Sequence, residues 1–263
     1  MTALLTLNQV TRRFGGLVAV DRVSMRIEAG EIYGLIGPNG AGKTTILDLV
    51  SGLTRPSSGR IELAGENVTG LRADRLAAMG IRRTFQNLKL FNELTVLQNV
   101  MIGLHASGRA GVVEAIVGGH RHRREERAMR AASLAVLDAV GLSERSNQRA
   151  AALSYGHRRR LEIARALVAE PRLLLLDEPA AGLNPSEATG LVDLIARINE
   201  QGVTILLVEH HMDVIMASCS RITVLNYGRK LAEGVPAEIR ADENVIEAYL
   251  GRPGLEERLA GHA

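Results

Sequence analysis

The 263-residue chain predicts an α/β fold built on a parallel sheet. Residues 173–176 are four consecutive leucines, the continuous apolar run of a strand covered on both faces, and residues 203–208 repeat that character. Each run stands between stretches with helical spacing, and strands that alternate with helices imply parallel pairing. At this length a sizeable core is available to one large domain or to a domain with an insertion.

Taken in order, residues 4–10 and 22–28 alternate apolar and polar side chains, with Val23, Met25 and Ile27 set against Arg22, Ser24, Arg26 and Glu28. That period of two predicts antiparallel strands with one solvated face. Residues 12–16, including Phe14, read as the turn between them. Residues 31–36 form a short apolar strand, 45–50 a helix, 55–59 a loop, 60–63 a strand, and 81–85 another strand that ends at Gln86. From 88 to 150 the pattern becomes helical at 95–104 and 125–140, and the Gly- and Ala-rich stretch 103–119 lies between these two. Residues 121–130 hold five Arg against two Glu and read as a solvated helix face.

Ser154 suits the N-cap of a helix running to about 169 with Leu161, Ile163, Ala164 and Leu167 inward, and Pro171 stops it. A helix over 185–200 precedes the strand at 203–208. A hairpin joins 221–225 to 229–233 around Asn226-Tyr227-Gly228, and a helix over 242–250 closes the pattern.

Aromatics make up only 3% of residues, Trp is absent and the formal charge is +3, which argues against a nucleic-acid-binding surface. Cys219 is the only cysteine, so no intrachain disulfide forms and an inert core thiol is expected. No signal peptide and no run of about 18 apolar residues is read, so a membrane role has to come through partners.

Chemistry concentrates at Gly37-Pro38-Asn39-Gly40-Ala41-Gly42-Lys43-Thr44, followed by Thr45, a G-x-x-x-x-G-K-T run between the strand and the helix. Glycines let successive backbone N–H groups curl round a phosphate, and the helix N-terminus adds partial positive charge. Lys43 is then placed for the β- and γ-phosphates and the Thr44 hydroxyl for Mg²⁺. Asp177 and Glu178 emerge from the leucine strand at the edge where open α/β sheets bind ligands. Asp177 is expected to order the metal shell, and Glu178 to polarise an attacking water as general base. Gln86 directly follows a strand and can serve metal or water. His210 ends the next apolar strand and can donate to a γ-phosphate, with His211 as the competing candidate.

With Leu153-Ser154-Tyr155-Gly156-His157 added in this order, the chain resembles the ATP-binding cassette of ABC transporters over residues 2–250. The resemblance implies a P-loop NTPase (RecA-like) core with an antiparallel β subdomain over about 1–87 and 171–240. It also implies a helical subdomain insertion over about 88–170 and a C-terminal helix over about 241–263. It implies that Ser154 and Gly156 face a γ-phosphate held by a second ATPase subunit, two cassettes packing head to tail around ATP and Mg²⁺. Phe14 matches the adenine-stacking aromatic, and Gln86 matches the loop that senses the membrane domain. Tyr155, His157 and Asn184 depart from the family's common pattern.

The runs 13–17, 83–86, 159–165, 180–185 and 248–251 are together similar to the ATPases of branched-chain amino-acid uptake systems, in which the Tyr155 and Asn184 variants are usual. This narrower resemblance implies a peripheral subunit on the cytoplasmic face of the cell membrane. Its expected partners are two transmembrane permease subunits and, indirectly, a solute-binding protein. An exporter ATPase, such as one serving lipopolysaccharide transport, and a soluble non-transport cassette are the alternatives. A permease helix is expected to dock on residues 88–94, where Leu90 and Phe91 are exposed unless something covers them.

Overall fold

The computed structural model of the protein describes residues 3–86, 88–105 and 120–250. Strands β1 (Ala3–Phe14) and β2 (Leu17–Glu28) pair antiparallel and meet at Phe14 and Leu17. Val23, Met25 and Ile27 are buried while Arg22 and Arg26 face solvent, as the alternation requires. Arg12, Arg13 and Phe14, expected in a turn, instead pair with Val20, Val18 and Leu17. The turn contracts to Gly15-Gly16, because two glycines close a hairpin without help from their neighbours.

Next come β3 (Ile32–Ile36), α1 (Lys43–Val50), β4 (Ser58–Leu63), β5 (Glu66–Asn67), α2 (Ala73–Ala78) and β6 (Ile81–Arg83). Strands β4 and β5 complete a four-stranded antiparallel sheet in the order β2-β1-β4-β5. Three helices follow: α3 (Val96–His105), α4 (His120–Ala139) and α5 (Tyr155–Leu167). The Ser154 hydroxyl caps α5 by accepting the His157 N–H at 3.4 Å. The last third runs β7 (Leu173–Asp177), α6 (Pro185–Glu200), β8 (Thr204–Val208), α7 (Met212–Ser218), β9 (Arg221–Asn226), β10 (Arg229–Gly234), α8 (Pro236–Ala241) and α9 (Glu243–Leu250). Asn184 and Glu187 form a capping box at the start of α6, each side chain accepting the other residue's backbone N–H.

The second sheet has the order β10-β9-β3-β8-β7-β6, parallel throughout except for β10. Its strands β3, β7 and β8 are buried at every residue. Neighbouring side chains point to opposite faces, so the leucine run divides itself between two cores. Leu173 and Leu175 join Tyr33, Leu35, helix α1 and the inner face of the antiparallel sheet. Leu174 and Leu176 join Leu161 and Ile163 of α5, Leu194 and Ile198 of α6 and Ile215 of α7. Val96 and Val100 of α3 and Leu137 of α4 belong to this same core, which extends the helical stretch from the sheet without a break.

Segments α2, β5, α7 and α8 are additional to the sequence reading; each is too short to show a period. The strand expected over 81–85 stops at Arg83, and the helix expected to reach about 169 stops at Leu167. Helix α4 is described from His120, upstream of the expected Glu125. Of the Arg-rich run, the described side chains Arg127 and Arg130 are exposed, while those of Arg121, Arg123 and Arg124 lie outside the described residues. Residues 251–263 of the expected C-terminal helix also lie outside them.

Leu174 is fully buried where β7 meets the helical layer. Leu174→Ala is expected to destabilise the fold by about 2–5 kcal/mol in denaturant unfolding, through lost burial and the cavity left behind. Cys219 is buried and burial pushes its thiol up to about 12. At pH 8 the native protein should therefore react with Ellman's reagent on the order of 100-fold more slowly than the unfolded chain.

Candidate nucleotide site

Strand β3 ends at Ile36, and the chain turns at Gly37 through a loop that leads into α1. Gly37 takes φ 149°, and a Cβ there would lie 2.2 Å from the Leu225 carbonyl. Gly42, the N-cap of α1, takes φ 103°, and its Cβ would meet the Ala19 carbonyl at 2.6 Å. Only glycine fits both the backbone and the space at these two points. Gly42 brings no capping side chain, so the first N–H groups of α1 remain available to an anion.

These N–H groups open into a cleft of about 530 Å³. Residues 39–45, Gln86 and Glu178 line it, and residues 17–19 with Tyr227 and Gly228 complete the mouth. Lys43 is 6% exposed, and its Nζ donates to the Gly37 carbonyl at 2.6 Å and the Pro38 carbonyl at 3.1 Å. Burial holds its pKa below the usual lysine range, with Glu178 and Asp177 pulling the other way. Thr44 is exposed on the first turn of α1, and Thr45 is half-buried.

Asp177 ends β7 and is buried. Its Oδ2 accepts Arg83 Nη2 at 2.9 Å, and Nη1 of the same guanidinium reaches Asp48 Oδ1 at 2.6 Å. Burial raises the Asp177 carboxyl above its ordinary range, and Arg83 opposes that rise. Glu178 follows in a left-handed conformation with φ 46°. That region costs a non-glycine residue on the order of 1–3 kcal/mol, so the surroundings must hold it. The Glu178 N–H donates to the Val208 carbonyl at 2.8 Å, and its Oε2 accepts Gln86 Nε2 at 2.9 Å. His210 Nδ1 stands 3.7 Å from the same Oε2.

Thus Gln86 and His210, far apart in the chain, converge on Glu178, which lines the same cleft as Lys43. Of the two candidate histidines, His210 is the one beside Glu178. His211 lies at the N-cap of α7 with its ring centroid 4.2 Å from that of His210. Phe14 ends β1 beside the residues of the cleft mouth, half-exposed, with the Arg12 guanidinium 4.3 Å above its ring. Pro38 lines an adjoining cleft against α9.

Ser154 and Gly156 are not brought to this cleft. They line a separate one of about 170 Å³ with His157, Arg160, Leu183 and Glu187, which shares no residue with the first. The Ser154 hydroxyl also pairs with His157 Nδ1 at 3.1 Å. Burial lowers the His157 pKa, helped by Arg145 and Arg160, which favours its neutral form.

Three groups around the site escaped the sequence reading. Arg83 spans Asp48 and Asp177. Arg159 and Glu162, each 1% exposed, grip the backbone beside Gln86: Arg159 donates to the Phe85 and Gln86 carbonyls, and Glu162 accepts the Phe85 N–H. Glu209 lies fully buried directly after β8. The one signal for Glu209 was its position, a carboxylate continuing an apolar strand where a sixth apolar residue would fit.

A family model described as "ABC transporter" matches residues 20–181, and a second, "Branched-chain amino acid ATP-binding cassette transporter", matches residues 229–254. The chain is 44% identical over 249 residues to the high-affinity branched-chain amino acid transport ATP-binding protein LivG of Salmonella typhimurium, an alignment covering 94% of this chain and 98% of that protein. The corresponding BraF protein of Pseudomonas aeruginosa is 43% identical with the same coverage. Among solved structures, the ADP conformation of MJ1267, an ATP-binding cassette of an ABC transporter, matches with a TM-score of 0.84 at 28% identity, covering 96% of this chain and 100% of that one. The two-sheet architecture, the phosphate loop at the end of β3 and this identity over nearly the whole length lead to one assignment: the chain belongs to the ABC transporter family, as one of its ATP-binding cassettes.

Proposed function

We propose that the protein binds and hydrolyses ATP to power an importer of branched-chain amino acids or related small polar solutes. The observation that carries the hydrolytic part is the position of Glu178, tied to Gln86, approached by His210 and lining one cleft with the phosphate loop. The substrate class rests on the likeness to LivG and BraF and on the branched-chain match at 229–254.

Residues 39–45 bind the triphosphate with their backbone N–H groups, and Lys43 exchanges its two loop carbonyls for phosphate oxygens. Phe14 offers its ring to the base. Glu178 orients the attacking water and takes up its proton, while His210 donates to the γ-phosphate. The oxygen donors here fit Mg²⁺: the exposed Thr44 hydroxyl, a carboxylate oxygen of Asp177, and the amide oxygen of Gln86, whose nitrogen serves Glu178. That ion would supply charge neutralisation at the phosphates.

Because Ser154 and Gly156 line a cleft of their own, they serve a nucleotide held by a second ATPase subunit. Such a pair closes on ATP and opens after hydrolysis. Among the described residues no helix is long and apolar enough to cross a membrane, so the motion is delivered to two permease subunits at the membrane surface, with a solute-binding protein upstream of them. Residues 88–170 carry the contact. Phe91 is half-exposed there, whereas Leu90, expected to be exposed, packs partly against the core. The buried Asn99 side chain holds the Phe91 backbone in place from both its N–H and its carbonyl.

Glu178→Gln is expected to retain ATP binding while kcat falls by about 10²–10⁴-fold in a phosphate-release assay. Unchanged turnover would remove Glu178 from the role of base. Lys43→Ala should weaken ATP binding by roughly 10–100-fold in equilibrium titration, the worth of a charge-assisted hydrogen bond.

A further inference from the structure

Glu209 has 0% exposure, and its carboxylate meets backbone N–H groups of the turns bearing Glu178 and His210, with the His210 ring 4.0 Å from Oε2. Oε1 accepts the Ala180 N–H at 2.6 Å, and Ala180 lies two residues beyond Glu178 in the turn after β7. Oε2 accepts the N–H groups of His210 at 3.2 Å and His211 at 3.4 Å, in the turn after β8. One carboxylate therefore joins the turn that bears Glu178 to the turn that bears His210. Glu209, His210 and His211 also place ligand atoms within 4.8 Å of one another. Both Glu209 oxygens are already engaged by backbone N–H groups, so this carboxylate serves the chain rather than a cation.

The two turns need such a link. Side chains of Glu178 and His210 approach to 3.7 Å, outside hydrogen-bond range, so their own contact does not fix their separation. The Glu178 backbone sits at φ 46°, a conformation that persists only where neighbouring hydrogen bonds impose it. On the β7 side those bonds are Glu178 N–H to Val208 and Ala180 N–H to Glu209.

We propose that Glu209 is a positioning residue for hydrolysis: its buried carboxylate clamps the Glu178 turn to the His210 turn and sets the spacing of the groups that act on the γ-phosphate. This rests on the hydrolytic reading of the cleft given above. An uncharged amide of the same shape cannot perform the task, because its single oxygen satisfies one turn and its NH₂ faces the N–H groups of the other. The phosphate loop and Lys43 follow β3 and take no part in the clamp's hydrogen bonds, so the clamp bears far more on turnover than on nucleotide affinity.

The test uses the full chain assembled with the second ATPase subunit, with its Glu209→Gln, Glu209→Asp and His210→Ala variants. Turnover is read by phosphate release, nucleotide affinity by trinitrophenyl-ATP fluorescence, and folding by thermal melting. Glu209→Gln is expected to lose about 10–100-fold in kcat, with affinity for the analogue changed less than about threefold. Glu209→Asp, which keeps the charge on a shorter arm, should fall between Gln and wild type. In the His210→Ala background, Glu209→Gln should cost less than a third of its effect in the wild type, because the clamp acts partly through that residue. A kcat within twofold of wild type, a loss of affinity matching the loss of kcat, or a fully multiplicative double variant would overturn the proposal. Absence of hydrolysis by the wild-type chain assembled with the second ATPase subunit would instead overturn the hydrolytic reading, and the clamp with it.

Discussion

Parallel pairing of three wholly buried strands sets where every chemical group emerges. Leu35 of β3 pairs with Val208 of β8, and Val208 pairs with Asp177 of β7, so the three strands end level with one another. Whatever follows each of them must then leave the sheet at one edge. Gly37 follows β3, Glu178 follows β7, and Glu209 with His210 follows β8. Strand register, fixed by apolar side chains packed into two opposite cores, thus assembles a polar site to which those side chains contribute nothing directly.

Much of this was legible in the chain because the relevant signals are local. A loop needing φ above zero at Gly37 and Gly42 advertises itself in glycines, and four leucines report a strand covered on both sides. Ser154 and Asn184 mark helix starts because a side-chain oxygen must meet the first free N–H groups. What stayed hidden depends on partners distant in sequence. Glu209 looks like an ordinary charge until Ala180 is seen beside it, and Arg83 reads as strand decoration until Asp48 and Asp177 close on it. Short helices such as α7 and α8 bury too few residues to show a period, and are held by what they pack against. The turn at Phe14 was misplaced because the charged residues before it look like loop, although Arg12 and Arg13 pair with β2 across a register shift that breaks the regular alternation.

Three carboxylates crowd the ends of β7 and β8, and their partners separate their roles. Asp177 is met by a guanidinium, Glu178 by an amide and an imidazole, and Glu209 by backbone N–H groups. Burial raises the pKa of Asp177 and of Glu209, and the partner of each counters that rise. Asp177 is thus held in a buried ion pair, whereas Glu178 meets only an amide within hydrogen-bond range. Chemically similar groups at two neighbouring strand ends are distinguished by their surroundings.

The ammonium of Lys43 is folded back onto the carbonyls of Gly37 and Pro38, and in the proposed site this contact would set an entry threshold for anions. A visitor with one or two weak oxygens offers little beyond what those carbonyls already provide and gains almost nothing by displacing them. A polyphosphate that also fills the row of N–H groups recovers the exchange several times over. On the proposed reading of the cleft, the loop would thus favour long, highly charged tails over simple inorganic ions before any part of the nucleoside is recognised.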